Sequence, residues 1–216
     1  MKILILDLET TGLAPKGANY KDDFMVFPYI LSMGWKVIED GAESPTYEYV
    51  INQEGRIIPP EATKINGITQ AMCDASKMNT FTVLLQFMMD ACNNDFIVGH
   101  NLYFDTSTIK ANILRIIEVG KKTPMDMFIQ MSAILDKEKR IDTMRICAKL
   151  WGSKWPTLGE AYTKLFGEIF KGHSAGADVQ ACCRIFQELM RLNAIRLVVP
   201  DKIAKEMLGT VLTEEE

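Results

Sequence analysis

The 216-residue chain has the length of one sizeable domain, or of one domain with an appended tail. A 48% hydrophobic and 24% charged composition is that of a soluble globular protein, and the net charge of −4 argues against gripping nucleic acid by bulk positive charge while leaving a local basic groove possible. Five cysteines, at 73, 92, 147, 182 and 183, give an odd count without C-x-x-C spacing, which indicates reduced thiols rather than a disulfide framework or a zinc ribbon.

In chain order, "KILILDLE" reads as a buried central strand, apolar on both faces until its acidic end. Asp7 interrupts the apolar run and no cleavage site follows, so this is not a signal peptide. No stretch reaches membrane-spanning length, and the expectation is an intracellular, cytoplasmic protein without a membrane partner. "LAPKGANYKDDFMVFP" has turn residues and no period, and reads as a long loop. Its Lys16 and Lys21, in the 14–27 segment, either grip a phosphate backbone or simply face solvent. "YILSMGWKVIE" and "TYEYVINQ" are the next two strands, joined by the turn-rich "EDGAESP" as an antiparallel meander.

"IIPPEATKINGITQ" reads as irregular. Thr80 then caps a helix with an apolar stripe of Val83, Leu84, Phe87, Met88 and Ala91. "DFIVGHN" is a short buried strand, followed by a helix from Leu102 to Glu118 with Gly120 just past its end. "KRIDTMRICAKLW" reads as a fifth short strand leading into a helix. Thr157 and Glu160 have capping-box spacing ahead of a helix ending near Gly167. A last long helix carries Val179, Cys182, Cys183, Phe186, Leu189 and Met190 on one face. From Arg196 the expectation is a short helix and a frayed acidic end, which divides the chain into a core domain at 1–195 and a tail at 196–216. Three meander strands followed by alternating helices and strands make an α/β fold, a mixed sheet flanked by helices.

Side chains alternate along a strand, so Asp7 and Glu9 share one face while Leu4, Leu6 and Leu8 share the other. Two neighbouring carboxylates leaving water repel each other and need positive charge between them. Asp105 falls on the apolar stripe of its helix, three after Leu102 and four before Ile109; on its own it could equally be a first-turn aspartate favoured by the helix dipole. In "HSAGADV", His173 and Asp178 on one helix would lie about 140° apart. A loop position for His173 and a first-turn position for Asp178 would let both face one point. Alone, His173 reads as a surface loop histidine. Taken together, four acids and one histidine fit a two-metal hydrolytic centre, because magnesium prefers carboxylate oxygens and shares its shell with phosphate. A neutral histidine can accept the proton of the attacking water.

Three motifs in order, "DLETTG" at 7–12, "GHNLYFD" at 99–105 and "HSAGADV" at 173–179, resemble those of the DEDDh 3′–5′ exonucleases of the ribonuclease H-like superfamily. The similarity takes in "IPPEATKINGIT" at 58–69 and "IDTM" at 141–144, and covers most of the chain to about residue 192. The resemblance implies a ribonuclease H-like five-stranded sheet and two divalent ions, Mg2+ with Mn2+ as a substitute. It implies that Asp7 bridges both ions, that Glu9 and Asp178 hold the one carrying the nucleophile, that Asp105 holds the other, and that His173 is the general base. Backbone amides near Thr10 and Thr11 would meet the terminal 3′-hydroxyl, with Asn101 and Phe104 lining the strand end. Phe104 reads equally well as a core residue. Asn66 departs from the histidine of many relatives and bears on a substrate contact, and His100 is better read as a hydrogen-bonded structural histidine.

The implied substrate is a single-stranded or frayed 3′ end, DNA ahead of RNA, with release of nucleoside 5′-monophosphates. An exoribonuclease on the same site is the alternative. A non-catalytic nucleic-acid-binding protein is disfavoured because all five catalytic-type residues are present. A polymerase or another replication or repair protein would be the partner of a proofreading enzyme.

Overall fold

The computed structural model describes residues 1–120, 125–170, 172–197, 199 and 201–211. At its centre β1 (Lys2–Thr10) pairs antiparallel with β2 (Ile30–Glu39) from Lys2↔Glu39 to Thr10↔Ile30, with a bulge between Glu9 and Thr10. The two-residue β3 (Ala42–Glu43) and β4 (Tyr47–Val50) both pair antiparallel with β2. Helices α1 (Pro60–Asn66), α2 (Gln70–Ala75) and α3 (Thr80–Ala91) precede β5 (Phe96–Gly99), which lies parallel to β1. After α4 (Leu102–Gly120) and α5 (Met125–Ile134), β6 (Arg140–Asp142) joins β5 in parallel. The chain closes with α6 (Thr143–Trp151), α7 (Leu158–Phe166), α8 (Ala175–Arg191) and α9 (Asp201–Val211). The sheet order is β3-β2-β1-β5-β6, with β4 also on β2.

Strand alternation divides the core into two layers. Leu4, Leu6 and Leu8 of β1 pack with Val83, Leu84 and Phe87 of α3 and with Ile109 and Ile113 of α4. Ile3 and Ile5 point to the other face, against Val179, Cys182, Phe186 and Leu189 of α8. Burying side chains on both faces is what an uninterrupted apolar strand requires. The odd-numbered face is also the face of Asp7 and Glu9, so α8 is the element over the acidic strand end.

Several expectations meet the structure as drawn. The meander, the helix over 80–91, the buried fourth strand, the capping box of Thr157 with Glu160 and the long last helix are all present, but the helix over 80–91 is capped by Asn79, whose side chain accepts from the Thr82 amide, and not by Thr80, its first residue. Others are corrected. The sheet has six strands instead of five, because "AE" at 42–43 adds a short pairing to β2. The segment 57–70 is not irregular: Pro60 opens α1, Gly67 ends it with a left-handed φ of 72°, and the Thr69 side chain caps α2. Gly120 is the last residue of α4 and does not follow it. Helix α5 was not expected; its buried row of Met127, Met131 and Ile134 is blurred by Phe128 and the exposed Ile129. Ala204 and Met207 of α9 are buried against the α8 layer, and the closing 212–216, expected to fray, fall outside the described residues.

The long loop after β1 is tied down by one buried cation. The Arg115 guanidinium donates to the carbonyls of Met25 (3.1 Å), Phe27 and Pro28 (3.2 Å) and stacks 4.3 Å from the Tyr29 ring centroid. Asn112 adds a 3.0 Å bond to the Pro28 carbonyl. These contacts fix the wall beside Thr11. Among the described residues no helix is long and apolar enough to cross a membrane.

Candidate active site

The site is assembled where β1 ends. Gly34 lies opposite Asp7 in the β1–β2 register, and a Cβ built on it would sit 2.6 Å from the Ala175 carbonyl oxygen. The missing side chain therefore lets the start of α8 rest directly on β2. Ser174 caps that helix through a 3.2 Å bond from the Ala177 amide, and Asp178 stands in its first turn. Carboxylate oxygens of Asp7, Glu9 and Asp178 all lie within 4.8 Å of one another. Asp105, in the first turn of α4 and only 4% exposed, stands outside this trio but close enough to act on Asp7.

Such crowding holds protons. Burial, then the charges of Asp105 and Asp178, push the Asp7 carboxyl well above the ordinary range. Glu9 is raised to about 7 by burial and by Asp178 and Glu48, against a hydrogen bond from Asn66 that favours its charged form. Burial likewise raises Asp178, opposed by the His173 backbone amide and the His173 charge. Asp105 is raised by burial and by Asp142. A cluster of hard oxygen donors whose charges oppose one another fits a divalent cation of the magnesium or manganese type, which removes the repulsion and keeps the carboxylates ionised.

The remaining candidates fall around this cluster. His173 is exposed in the loop before α8, with a left-handed φ of 96°; its amide donates to Asp178 Oδ1 at 3.3 Å, tying the loop to the helix. Thr10 donates its hydroxyl to the Gly12 carbonyl at 2.7 Å. The Thr11 amide donates to the Tyr29 carbonyl at 2.9 Å and its hydroxyl accepts from the Tyr29 amide at 3.0 Å. That amide is committed within the protein, so a substrate contact at this point would fall to a neighbouring group. Asn101 is exposed, with φ of 70°, and its amide donates to Asp142 Oδ1 at 3.1 Å. Phe104 is half-buried and lies outside the hydrophobic clusters, which favours a surface role over a core one. His100 is structural: Nε2 meets the Pro156 carbonyl at 2.8 Å, Nδ1 the Thr143 hydroxyl at 3.0 Å, and burial lowers its pKa.

Three further residues brace the site, and for Asn66 the structure shows a support of Glu9 where a substrate contact was expected. Asn66 is buried, donates to the Thr10 carbonyl at 3.3 Å and supports Glu9, so it braces the acidic strand end from α1. Asp142 caps α6 and holds Asn101. Glu48 faces the acids from β4, across Gly34 in register, and Gly176 leaves room for it: a Cβ there would lie 2.5 Å from its carboxylate. The "IDTM" similarity pointed toward Asp142; nothing local in the sequence marks Glu48.

Comparison with known proteins places the chain in a family. Residues 4–186 match the exonuclease family RNase_T. The chain is 26% identical over 123 residues to the PolC-type DNA polymerase III of Clostridium perfringens (strain 13 / Type A), a match over 57% of this chain that spans only 8% of that relative's length. Among solved structures it resembles exonuclease X in complex with 5′-overhanging duplex DNA (TM-score 0.53, 19% identity, 87% of this chain and 90% of that one). It also resembles the nuclease domain of 3′hExo, a DEDDh family member bound to rAMP (TM-score 0.63, 13% identity, 90% and 94%). The chain belongs to the exonuclease family RNase_T, on the fold of these solved exonucleases.

Proposed function

We propose that the protein removes nucleoside 5′-monophosphates from single-stranded or frayed 3′ ends of DNA, with Asp7, Glu9, Asp105 and Asp178 holding two divalent ions and His173 acting as general base. The observation that carries this reading is the trio Asp7, Glu9 and Asp178 within 4.8 Å at the end of β1, with Asp105 buried beside it. When bound, divalent ions supply the positive charge that such chemistry needs at the attacking and leaving oxygens of the phosphodiester. Asp7, between Glu9 and Asp105, is the natural shared ligand. His173, exposed at the mouth and tied to Asp178, accepts the proton of the attacking water at its imidazole. As the water oxygen bonds to phosphorus the bond to the 3′ oxygen breaks, leaving a shortened strand with a 3′-hydroxyl. Thr10 and Thr11 at the end of β1, through groups other than the Thr11 amide, and Asn101 and Phe104 at the start of α4 would hold the terminal nucleotide.

DNA is favoured by the similarity to a DNA polymerase and to an exonuclease bound to DNA. RNA is the second reading, favoured by the likeness to a nuclease domain bound to rAMP. Competition between 5′-labelled DNA and RNA oligomers of one sequence, with an Asp7→Ala control, tests the choice. The reading predicts faster shortening of DNA from its 3′ end and none in the variant. Faster shortening of RNA would replace it with the second reading. The same similarity to a polymerase supports a replication or repair protein as a partner, and a cytoplasmic setting.

A further inference from the structure

On the α4 side of the site lies a groove of about 950 Å³ that the mechanism does not use. Six cations line it: Lys21, Lys110, Lys137, Arg140, Arg145 and Lys149. The chain as a whole carries a net charge of −4, so the local excess of cations in this groove runs against the overall balance. The groove's carboxylates are Asp136 and Asp142. Asp142 is engaged with the amides of Asn101 and Met144 and sits 4.0 Å from Arg145. Lys110 is only 7% exposed, and its ammonium lies 5.6 Å from the Tyr20 ring centroid. Arg140 and Lys21 are near enough to lower its pKa, so these cations converge on one space. Tyr103, 57% exposed, adds an aromatic ring at the rim, and Phe128 another along the wall.

The groove borders the candidate active site at the start of α4. Leu102 and Tyr103 line it, and Asn101, Phe104 and the buried Asp105 lie on the same turn of chain. Asp142 belongs to the groove and also holds Asn101 and acts on Asp105. A 3′ exonuclease's substrate strand can leave the site only in the 5′ direction. A cationic groove with aromatic rings, opening beside the metal cluster, has the chemistry of a single-stranded polynucleotide track.

We propose that this groove holds the phosphodiester backbone of the substrate strand on the 5′ side of the scissile linkage. The proposal rests on the exonuclease reading for the identity of its occupant. The α5 segment and the residues leading into β6, which supply Phe128, Lys137 and Arg140, thereby become a substrate-gripping wall.

The test is fluorescence anisotropy of a 20-nucleotide oligothymidylate with chelator present, titrated over salt concentration. The wild-type chain is compared with the triple variant Lys21→Gln/Lys137→Gln/Arg145→Gln, all exposed positions. Lys77→Gln/Lys154→Gln/Lys205→Gln, exposed cations outside the groove, controls for net charge. The groove variant should bind about tenfold more weakly near 0.1 M salt, with a salt slope flatter by about two, and the control should bind as the wild type does. Equal affinity and slope in the groove variant, or an equal loss in the control, would overturn the proposal. Hydrolysis is scored separately. Groove-dependent binding by a protein that cleaves nothing would sink the exonuclease reading and leave the track; normal cleavage with groove-independent binding would do the reverse.

Discussion

Asp7 is the residue on which stability and activity are opposed. Burial and its acidic neighbours raise its carboxyl's hold on a proton, so without metal its ionised form is a cost to the fold. Asp7→Asn should lower the hydrolysis rate on the order of a thousandfold, and should raise the melting temperature measured in chelator. A drop in both would mean that Asp7 is a structural residue. His173 is the complementary case, since it is exposed and its backbone, not its ring, makes the contact to Asp178. His173→Asn should lower kcat by a factor of about 10² to 10⁴ while leaving thermal unfolding unchanged, as paired activity and calorimetry would reveal. Residue patterns were legible wherever a periodicity carried them: Asp7 and Glu9 share a face by strand alternation alone. Glu48 was not legible, because its place depends on the register of β4 and on a glycine in the strand between.

Among the elements, α8 matters most to the site, and Gly34 sets its position. Any side chain there meets the Ala175 carbonyl, at 2.6 Å for the first carbon alone. Gly34→Ala should push the start of α8 off β2 and carry Asp178 and His173 away from Asp7. The expected result is a loss of kcat of at least about tenfold, along with a destabilisation of about 1–3 kcal/mol by denaturant unfolding. Wild-type kcat in this variant would show that the helix can shift without disturbing the site. The elements that the sequence concealed share a physical cause. Helices α1 and α2 are seven and six residues long, too short to develop an apolar stripe, and are defined by Pro60, Gly67 and the Thr69 cap. In α5, Met127, Met131 and Ile134 form a buried row at helical spacing, but Phe128 beside it and Ile129, left exposed, blur that row in the sequence. Helices α3 and α8 were readable because each has a buried apolar face and a wetter polar one, and α4, buried all round from Asp105 to Ile113, was readable because its isoleucines recur at helical spacing among polar residues.

At the scale of the whole molecule the raised carboxyls link stability to pH. Asp7, Glu9, Asp105 and Asp178 all bind protons more tightly in the folded chain than in the unfolded one. Their contribution is therefore complete below the unfolded values near 4 and declines as pH rises through the folded ones, near 7 for Glu9. In chelator the melting temperature should fall between about pH 4.5 and pH 7.5, and saturating magnesium should restore it at the upper end, since a bound cation favours the ionised acids. A melting temperature that rises over that range in chelator would contradict the assignment of these acids as buried and mutually repelling.

The central claim is that hydrolysis depends on cations held by the strand-end acids, and the dependence of rate on free Mg2+ tests it most directly. With a 5′-labelled single-stranded oligodeoxynucleotide, the account predicts no cleavage in chelator. As free Mg2+ rises, the rate should climb to saturation, with products shortening one nucleotide at a time from the 3′ end. Shortening at full rate in chelator, or cleavage within the strand, would contradict it.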